Sequence, residues 1–263
     1  MNSPEFLSVC EKIVPIITDA LASLIGTEYG AEEISMGADN TPTERLDKIA
    51  EDIVLAAFRE HKVCKYLLSE EAGMVEIGGE SGIAYLDPVD GSFNAGAGIP
   101  FYALSIGLSD GTKMTAGYVR NLANGETFTA IRGEGAYLNG KRIHVSGKTE
   151  LNTSAMSIYA RAPEMMSLLQ KGFRTRRVRK LGASAIELCY VACGRLEGFL
   201  DLRTTLRITD AAAGILICEE AGGIVSMPDA SPLSFPDDVR VGRPILAANP
   251  AIHKTVSEIM GLE

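Results

Sequence analysis

The sequence predicts a layered fold of the α/β (α+β) class, and three observations lead there. Two helical periodicities open the chain, a run of short strands with hairpin punctuation follows, and the remainder alternates strands with helices. With 263 residues the chain can bury a large core as one big domain or as two fused lobes. The expected division is a first lobe over 1–150, with helices, acid-bearing strand ends and an antiparallel meander. A second α/β lobe covers 151–263, and the two form one compact unit.

Ser3-Pro4 reads as an N-cap with proline at the first helical position, and the pattern continues to about Leu24. Pro15 inside it predicts a kink or a split. Glu5, Glu11, Lys12 and Asp19 interrupt the apolar residues, so neither a signal-peptide core nor a membrane span is expected. Residues 36–43 form a polar loop ahead of a helix over about Thr43 to Glu60, with Leu46, Ile49, Ala50, Ile53 and Ala57 as its apolar stripe. Asp47 falls at the edge of that stripe and points partly inward, unless it is simply a solvated helix carboxylate. Tyr66, Leu67 and Leu68 read as a strand ending in Ser69-Glu70-Glu71, and Ala84, Tyr85 and Leu86 as a second, ended by Asp87-Pro88 because proline cannot donate to a ladder.

Phe101 to Leu108 is a strand closed by Asp110-Gly111, and Thr115 to Asn121 and Glu126 to Arg132 follow, joined through Asn124-Gly125. Tyr137 to Gly140 then lead to Ile143-His144-Val145, which completes the meander. Beyond it come a strand Ala155 to Tyr159, a helix Pro163 to Leu169, a strand Arg176 to Leu181, a helix Ser184 to Cys193 and a strand Leu196 to Leu200. A helix from near Thr209 stops at Gly222-Gly223. Strands at Ile224-Val225 and Ile245 to Ala248 precede a last helix, Pro250 to Met260.

A net charge of −9 and a pI near 5.0 disfavour nucleic acid or an anionic membrane as partner. They leave room for a phosphorylated small molecule, because bound cations reverse the local field. The five cysteines are scattered without C-x-x-C spacing, as in a cytoplasmic protein with reduced thiols, and the three histidines are too far apart in sequence to suggest zinc. Gly133-Glu134-Gly135 falls short of a dinucleotide fingerprint, and there is no P-loop.

The chemistry concentrates in Ala84 to Asn94. Asp87 and Asp90 leave a strand end three residues apart with the Val89 carbonyl between them, Gly91 frees backbone N–H groups for an anion, and Ser92 adds a hydroxyl. Oxygen donors without histidine or cysteine suit a hard cation such as magnesium. Alone, Asp-Pro-x-Asp-Gly is equally a plain turn. Ser69-Glu70-Glu71 at another strand end raises the count to four carboxylates, in the place where α/β folds collect ligands. Further on, Thr209 can cap a helix that carries Asp210 in its first turn, where the acid either joins the others or only offsets the helix dipole. Arg174, Arg176, Arg177, Arg179 and Lys180 form a basic cluster in an acidic chain. Alternation would put Arg177 and Arg179 on one strand face, with one or two of the arginines binding substrate and the rest solvated or at a subunit contact.

Together Glu70-Glu71, Asp87-Pro88-Val89-Asp90-Gly91-Ser92-Phe93-Asn94, Asp210-Ala211-Ala212-Ala213-Gly214 and Glu220-Ala221-Gly222-Gly223 resemble the inositol monophosphatase family of magnesium-dependent phosphatases, over nearly the whole chain. The segment Leu200 to Asp210 looks most like the archaeal branch, whose enzymes hydrolyse fructose 1,6-bisphosphate and inositol 1-phosphate. The resemblance implies a layered αβαβα sandwich of the sugar phosphatase type, usually a homodimer. It implies that Glu70, Asp87, the Val89 carbonyl, Asp90 and Asp210 hold two magnesium ions, with a third bound more weakly near Glu70 and the loop around Asp39, and manganese able to substitute. Two such ions roughly 3.5–4 Å apart stabilise entering and leaving oxygens. Glu70 and the pair Asp47–Ser92 resemble the groups that orient and deprotonate the attacking water, and Asp210 would assist protonation of the leaving alkoxide. Asp90, Gly91 and Ser92 would bind the phosphate, and Arg179, Ser184 and Arg203 resemble substrate-contacting positions of the archaeal enzymes.

Ser92 stands where the family commonly has threonine, and Thr209 where many members have tryptophan. The resulting expectation is a magnesium-dependent phosphomonoesterase for a phosphorylated sugar or polyol. The alternatives are a 3′-phosphoadenosine phosphatase, disfavoured because no adenine site is evident, and a catalytically silent metal and sugar-phosphate binder.

Overall fold

Residues 1–261 are described by a computed structural model; residues 262 and 263, at the end of the expected second lobe, lie outside them. The chain begins with helix α1 (Ser3–Leu21), a hairpin of β1 (Glu33–Met36) and β2 (Pro42–Glu44), and helix α2 (Arg45–His61). Strands β3 (Tyr66–Ser69), β4 (Gly73–Glu76) and β5 (Ile83–Asp90) lead to a short helix α3 (Ser92–Gly96). The meander is β6 (Ala103–Ser109), β7 (Met114–Asn121), β8 (Thr127–Ile131), β9 (Gly135–Leu138) and β10 (Lys141–Arg142). The remainder comprises β11 (Ala155–Tyr159), α4 (Ala162–Gln170), β12 (Arg177–Arg179), α5 (Ser184–Ala192), β13 (Gly198–Asp201), α6 (Ile208–Glu220), β14 (Ile224–Ser226), β15 (Ile245–Ala248) and α7 (Pro250–Met260).

An eight-stranded sheet runs β10-β9-β8-β7-β6-β5-β3-β4, and a five-stranded sheet runs β12-β11-β13-β15-β14. Helices α1 and α2 cover one face of the larger sheet, with Phe6 edge-on to Phe58 at 6.2 Å between ring centres. Helices α5 and α6 fill the space between the two sheets, and α4 and α7 cover the outer face of the smaller one. This is the αβαβα layering. The middle layer is thin because its residues are small. An added Cβ at Gly117 of β7 would come within 2.9 Å of the Ala213 carbonyl oxygen of α6, and one at Gly214 within 2.8 Å of the Leu188 side chain of α5.

Several boundaries differ from the sequence expectation. Helix α1 is capped by Asn2 rather than Ser3, in a capping box with Glu5, and it runs through Pro15 unsplit. Pro15 and Glu11 are both exposed, so the carbonyl deprived of its partner faces water. The loop over 36–43 is the tip of the β1–β2 hairpin, which delays α2 to Arg45. Ile143-His144-Val145 lies outside the meander's last strand, which is Lys141–Arg142. Thr209 is not the cap of α6. Arg207 holds that position, and Thr209 is fully buried inside the first turn. Strand β12 lies at a sheet edge with all three residues exposed, so alternation gives Arg177 and Arg179 no inward face.

Pro88 does not end its strand. Strand β5 continues to Asp90, and its ladder with β6 steps from Asp87↔Ser105 to Asp90↔Ala103, two intervening residues against one. That is a bulge, and the proline, which has no N–H to donate, sits inside it.

The tight middle layer gives a stability prediction. Gly214→Val should cost about 2 kcal/mol by overpacking against Leu188. Thermal unfolding should show a drop of roughly 4–8 °C for a chain of this size; an unchanged melt would mean the layer has slack.

Candidate active site

Parallel pairing of β3 and β5 sets the first two acids side by side. Ser69 pairs with Leu86, so the next residues along the two strands are Glu70 and Asp87. The bulge then turns β5, the Asp87 carboxylate accepts the Val89 amide at 3.1 Å, and Asp90 leaves the strand end facing α5. There its two carboxylate oxygens accept the Ser184 amide at 3.1 Å and the Ala185 amide at 2.7 Å. Gly91 follows with φ +88°, a conformation costly for other residues, and an added Cβ would come within 2.9 Å of the Gly182 carbonyl oxygen. Ser92 starts the short α3, and Asp210 enters from the first turn of α6.

Glu70, Asp87 and Asp210 each present one carboxylate oxygen within 4.8 Å of the others. Asp90 lies near enough for Asp210 to act on its charge. Such crowding raises proton affinity. Burial first, then Glu70, Asp90 and Asp210, hold the Asp87 pKa well above the carboxylate range. Burial and Asp210 do the same to Asp90, and burial, with Asp210, Asp47 and Asp39 against the opposing Arg207, does so to Glu70. Asp47 is buried on α2, its pKa raised by burial and by Glu71 and Glu44; Glu71, which accepts a hydrogen bond from Thr43, is pushed up to about 7, mainly by burial.

A cavity of about 420 Å³ opens beside these acids. Asp39, Glu70, Ser184, Arg203, Arg207 and Asp210 are among its lining residues. Arg203 donates from Nε at 3.0 Å and Nη2 at 2.7 Å to the buried Asp201 carboxylate, and its guanidinium lies 4.2 Å from the Tyr159 ring centre. Arg179 is not among the lining residues. Its side chain is exposed and donates to the carbonyl of Val178 at 3.0 Å. Among the described residues no hydrogen bond joins Asp47 to Ser92, and the groups acting on Asp47 are Glu71 and Glu44.

Sequence reasoning passed over Arg207 as a site residue. Its guanidinium pairs with Asp39, with Glu70 at 2.5 Å and with Asp210 at 3.2 Å, and the surrounding acids raise its pKa against the effect of burial. Its place at the N-cap, three residues before Asp210 in capping-box spacing, was the available signal. Carboxylate oxygens from three separate elements, with neither histidine nor cysteine, fit a hard divalent cation, and one positive guanidinium leaves several negative charges for it to neutralise.

Residues 5–260 match the model of the inositol monophosphatase family. The chain belongs to that family. Its relatives include the fructose-1,6-bisphosphatase/inositol-1-monophosphatase of Archaeoglobus fulgidus, 37% identical over 267 residues that cover 99% of this chain and all of that protein. The bifunctional NADP phosphatase/NAD kinase of Methanococcus maripaludis is 35% identical over 98% of this chain, which spans about half (49%) of that protein. Among solved structures, the MJ0109 gene product, described as an inositol monophosphatase–fructose 1,6-bisphosphatase, superposes with a TM-score of 0.87 at 28% identity, over 98% of this chain and 100% of that one. The chain is thus an enzyme of a metal-dependent phosphatase family, and among the described residues no helix is long and apolar enough to cross a membrane.

The raised proton affinities carry a pH dependence. Glu70, Glu71, Asp87 and Asp90 bind a proton more tightly folded than unfolded. In metal-free protein their stabilising contribution is complete below about pH 4, the unfolded carboxylate range, and is lost as pH rises through the folded values. For Glu71 that value is about 7. Metal-free protein should therefore melt lower above neutrality than in mild acid, and saturating magnesium should flatten that slope. Identical slopes in calorimetry with and without magnesium would speak against a cation among these acids.

Proposed function

We propose that this chain is a magnesium-dependent phosphomonoesterase for sugar phosphates, with fructose 1,6-bisphosphate as its first substrate and inositol 1-phosphate as its second. The observation that carries this reading is the approach of Glu70, Asp87 and Asp210 within 4.8 Å, beside the Asp90-Gly91-Ser92 turn. Glu70, Asp87, the Val89 carbonyl, Asp90 and Asp210 would hold two magnesium ions, or three with the weakest near Glu70, and manganese would substitute. Such ions supply neutralisation of phosphate charge and a supply of hydroxide near neutral pH.

The protein's own residues do the positioning that phosphoryl transfer mainly requires. Gly91 and Ser92 offer amides to the phosphate. Glu70, with Asp47 and Ser92, orients the attacking water and takes its proton, and Asp210 assists return of a proton to the leaving sugar oxygen as its bond to phosphorus breaks. Ser184 and Arg203 line the adjoining cavity and contact the rest of the substrate. The Arg203 guanidinium keeps donors beyond those given to Asp201, and these suit a second phosphate. The same reading expects a cytoplasmic homodimer.

A second reading, removal of the phosphate of NADP, is favoured by the match to the Methanococcus maripaludis protein. Phosphate release with magnesium from fructose 1,6-bisphosphate, inositol 1-phosphate, NADP and 3′-phosphoadenosine separates the possibilities. The expected result is turnover of the first two, lost on chelation and restored by manganese; activity confined to nucleotides reverses the ranking. Absence of release from every substrate leaves a silent binder. Asp90→Asn should reduce turnover by about a hundredfold or more with the fold intact, beyond the usual cost of losing an outer partner. Unchanged turnover would remove Asp90 from the required ligands.

A further inference from the structure

Glu187 is a fully buried acid in α5, flanked by Ile186 and Leu188 of the apolar core, and among the described residues it makes no ion pair. Its carboxylate is instead surrounded by donors. One oxygen accepts the Ser157 hydroxyl and, at 3.0 Å, the Leu181 amide. The other accepts the Tyr159 hydroxyl at 2.6 Å. That hydroxyl in turn accepts the Gly182 amide at 2.8 Å. Glu187 thus ties two residues of β11 to the segment 181–182 that leads into its own helix.

The same segment touches the acidic turn at successive points. The Leu181 carbonyl accepts Nδ2 of Asn94 at 2.8 Å. At Gly182 an added Cβ would come within 2.8 Å of the same nitrogen, so the backbone is pressed onto Asn94. The Gly182 carbonyl oxygen closes over Gly91, and the Ser184 and Ala185 amides hold the two oxygens of Asp90. An unbroken series of contacts therefore runs from β11 through Glu187 to Asp90.

We propose that Glu187 is a positioning residue for Asp90: its carboxylate fixes segment 181–185, whose amides hold both Asp90 oxygens in place beside the Glu70–Asp87–Asp210 cluster. The cation at that cluster rests on the phosphatase reading above; the coupling from Glu187 to Asp90 does not. A carboxylate is needed because it accepts on both oxygens. Glutamine accepts on one only, so it either leaves the Leu181 amide unmatched or turns an NH₂ toward Tyr159, whose hydroxyl already accepts from Gly182. A purely structural acid would affect melting alone, whereas a positioning acid also affects what Asp90 does.

The test compares wild type, Glu187→Gln and Tyr159→Phe, all first stripped of metal. Free Mn²⁺ is followed by electron paramagnetic resonance during titration, and hydrogen exchange is read at the amides of residues 184 and 185. Turnover of fructose 1,6-bisphosphate is measured well below each melting temperature. For Glu187→Gln the expected result is Mn²⁺ affinity and kcat each down about tenfold, the usual cost of losing an outer partner of a metal site. Exchange at the two amides should be faster, with KM moving less than kcat; Tyr159→Phe should move the same way by less. Folded Glu187→Gln protein with Mn²⁺ affinity and amide exchange within about twofold of wild type overturns the proposal. If Glu187→Gln does not fold, Tyr159→Phe decides on the direction of the same two readings. If wild type turns over no substrate, the phosphatase reading fails, while Mn²⁺ binding and exchange still decide the role of Glu187.

Discussion

Glu70, Asp87, Asp90 and Asp210 bring like charges into a region largely stripped of water, and much of the surrounding fold answers that constraint. Each acid would be cheaper to keep apart. The protein offsets the cost in two visible ways. Backbone amides serve as fixed partial charges, two of them on Asp90 and one on Asp87. The Arg207 guanidinium reaches Asp39, Glu70 and Asp210 at once. What remains is negative, of oxygen character and concave, which is the demand a divalent cation meets.

The layered architecture makes that gathering possible. Parallel neighbours β3 and β5 end at the same edge, so Glu70 and Asp87 need no loop to bring them together. The bulge at Pro88 gives β5 one extra residue and aims Asp90 away from the sheet toward α5. Helix α6 reaches the same edge because glycines and alanines let it lie close between the sheets. A core feature, the thin middle layer, is therefore also what delivers Asp210.

The cavity beside the acids is built from different material. Asp201, fully buried, holds Arg203 against the face of Tyr159, and the Tyr159 hydroxyl is engaged by Glu187. The acidic turn and the cavity beside it thus share one buried aromatic, through which packing in the smaller sheet bears on both. Arg179 stands outside this arrangement on an exposed edge strand.

The acids that gather could be picked out of the sequence because they sit at places where local rules are strong: after apolar runs, beside a proline and a glycine, and in a first helical turn. Alternating strands and helices likewise pointed to the layered class, and the resemblance of the motifs to a known family pointed to the family whose model the chain matches. Where β5 ends was misjudged, because a proline forbids only its own hydrogen bond and the ladder's bulge has none to lose there. Thr209 was misread as a cap, because its burial against the sheets outweighs its local preference. Tertiary structure alone decided that Arg207 spans three acids, that Arg203 lines the cavity while Arg179 does not, and that Glu187 binds the segment whose amides hold Asp90. Long-range approach of side chains depends on strand register and helix packing, and neither periodicity nor spacing along one segment encodes it.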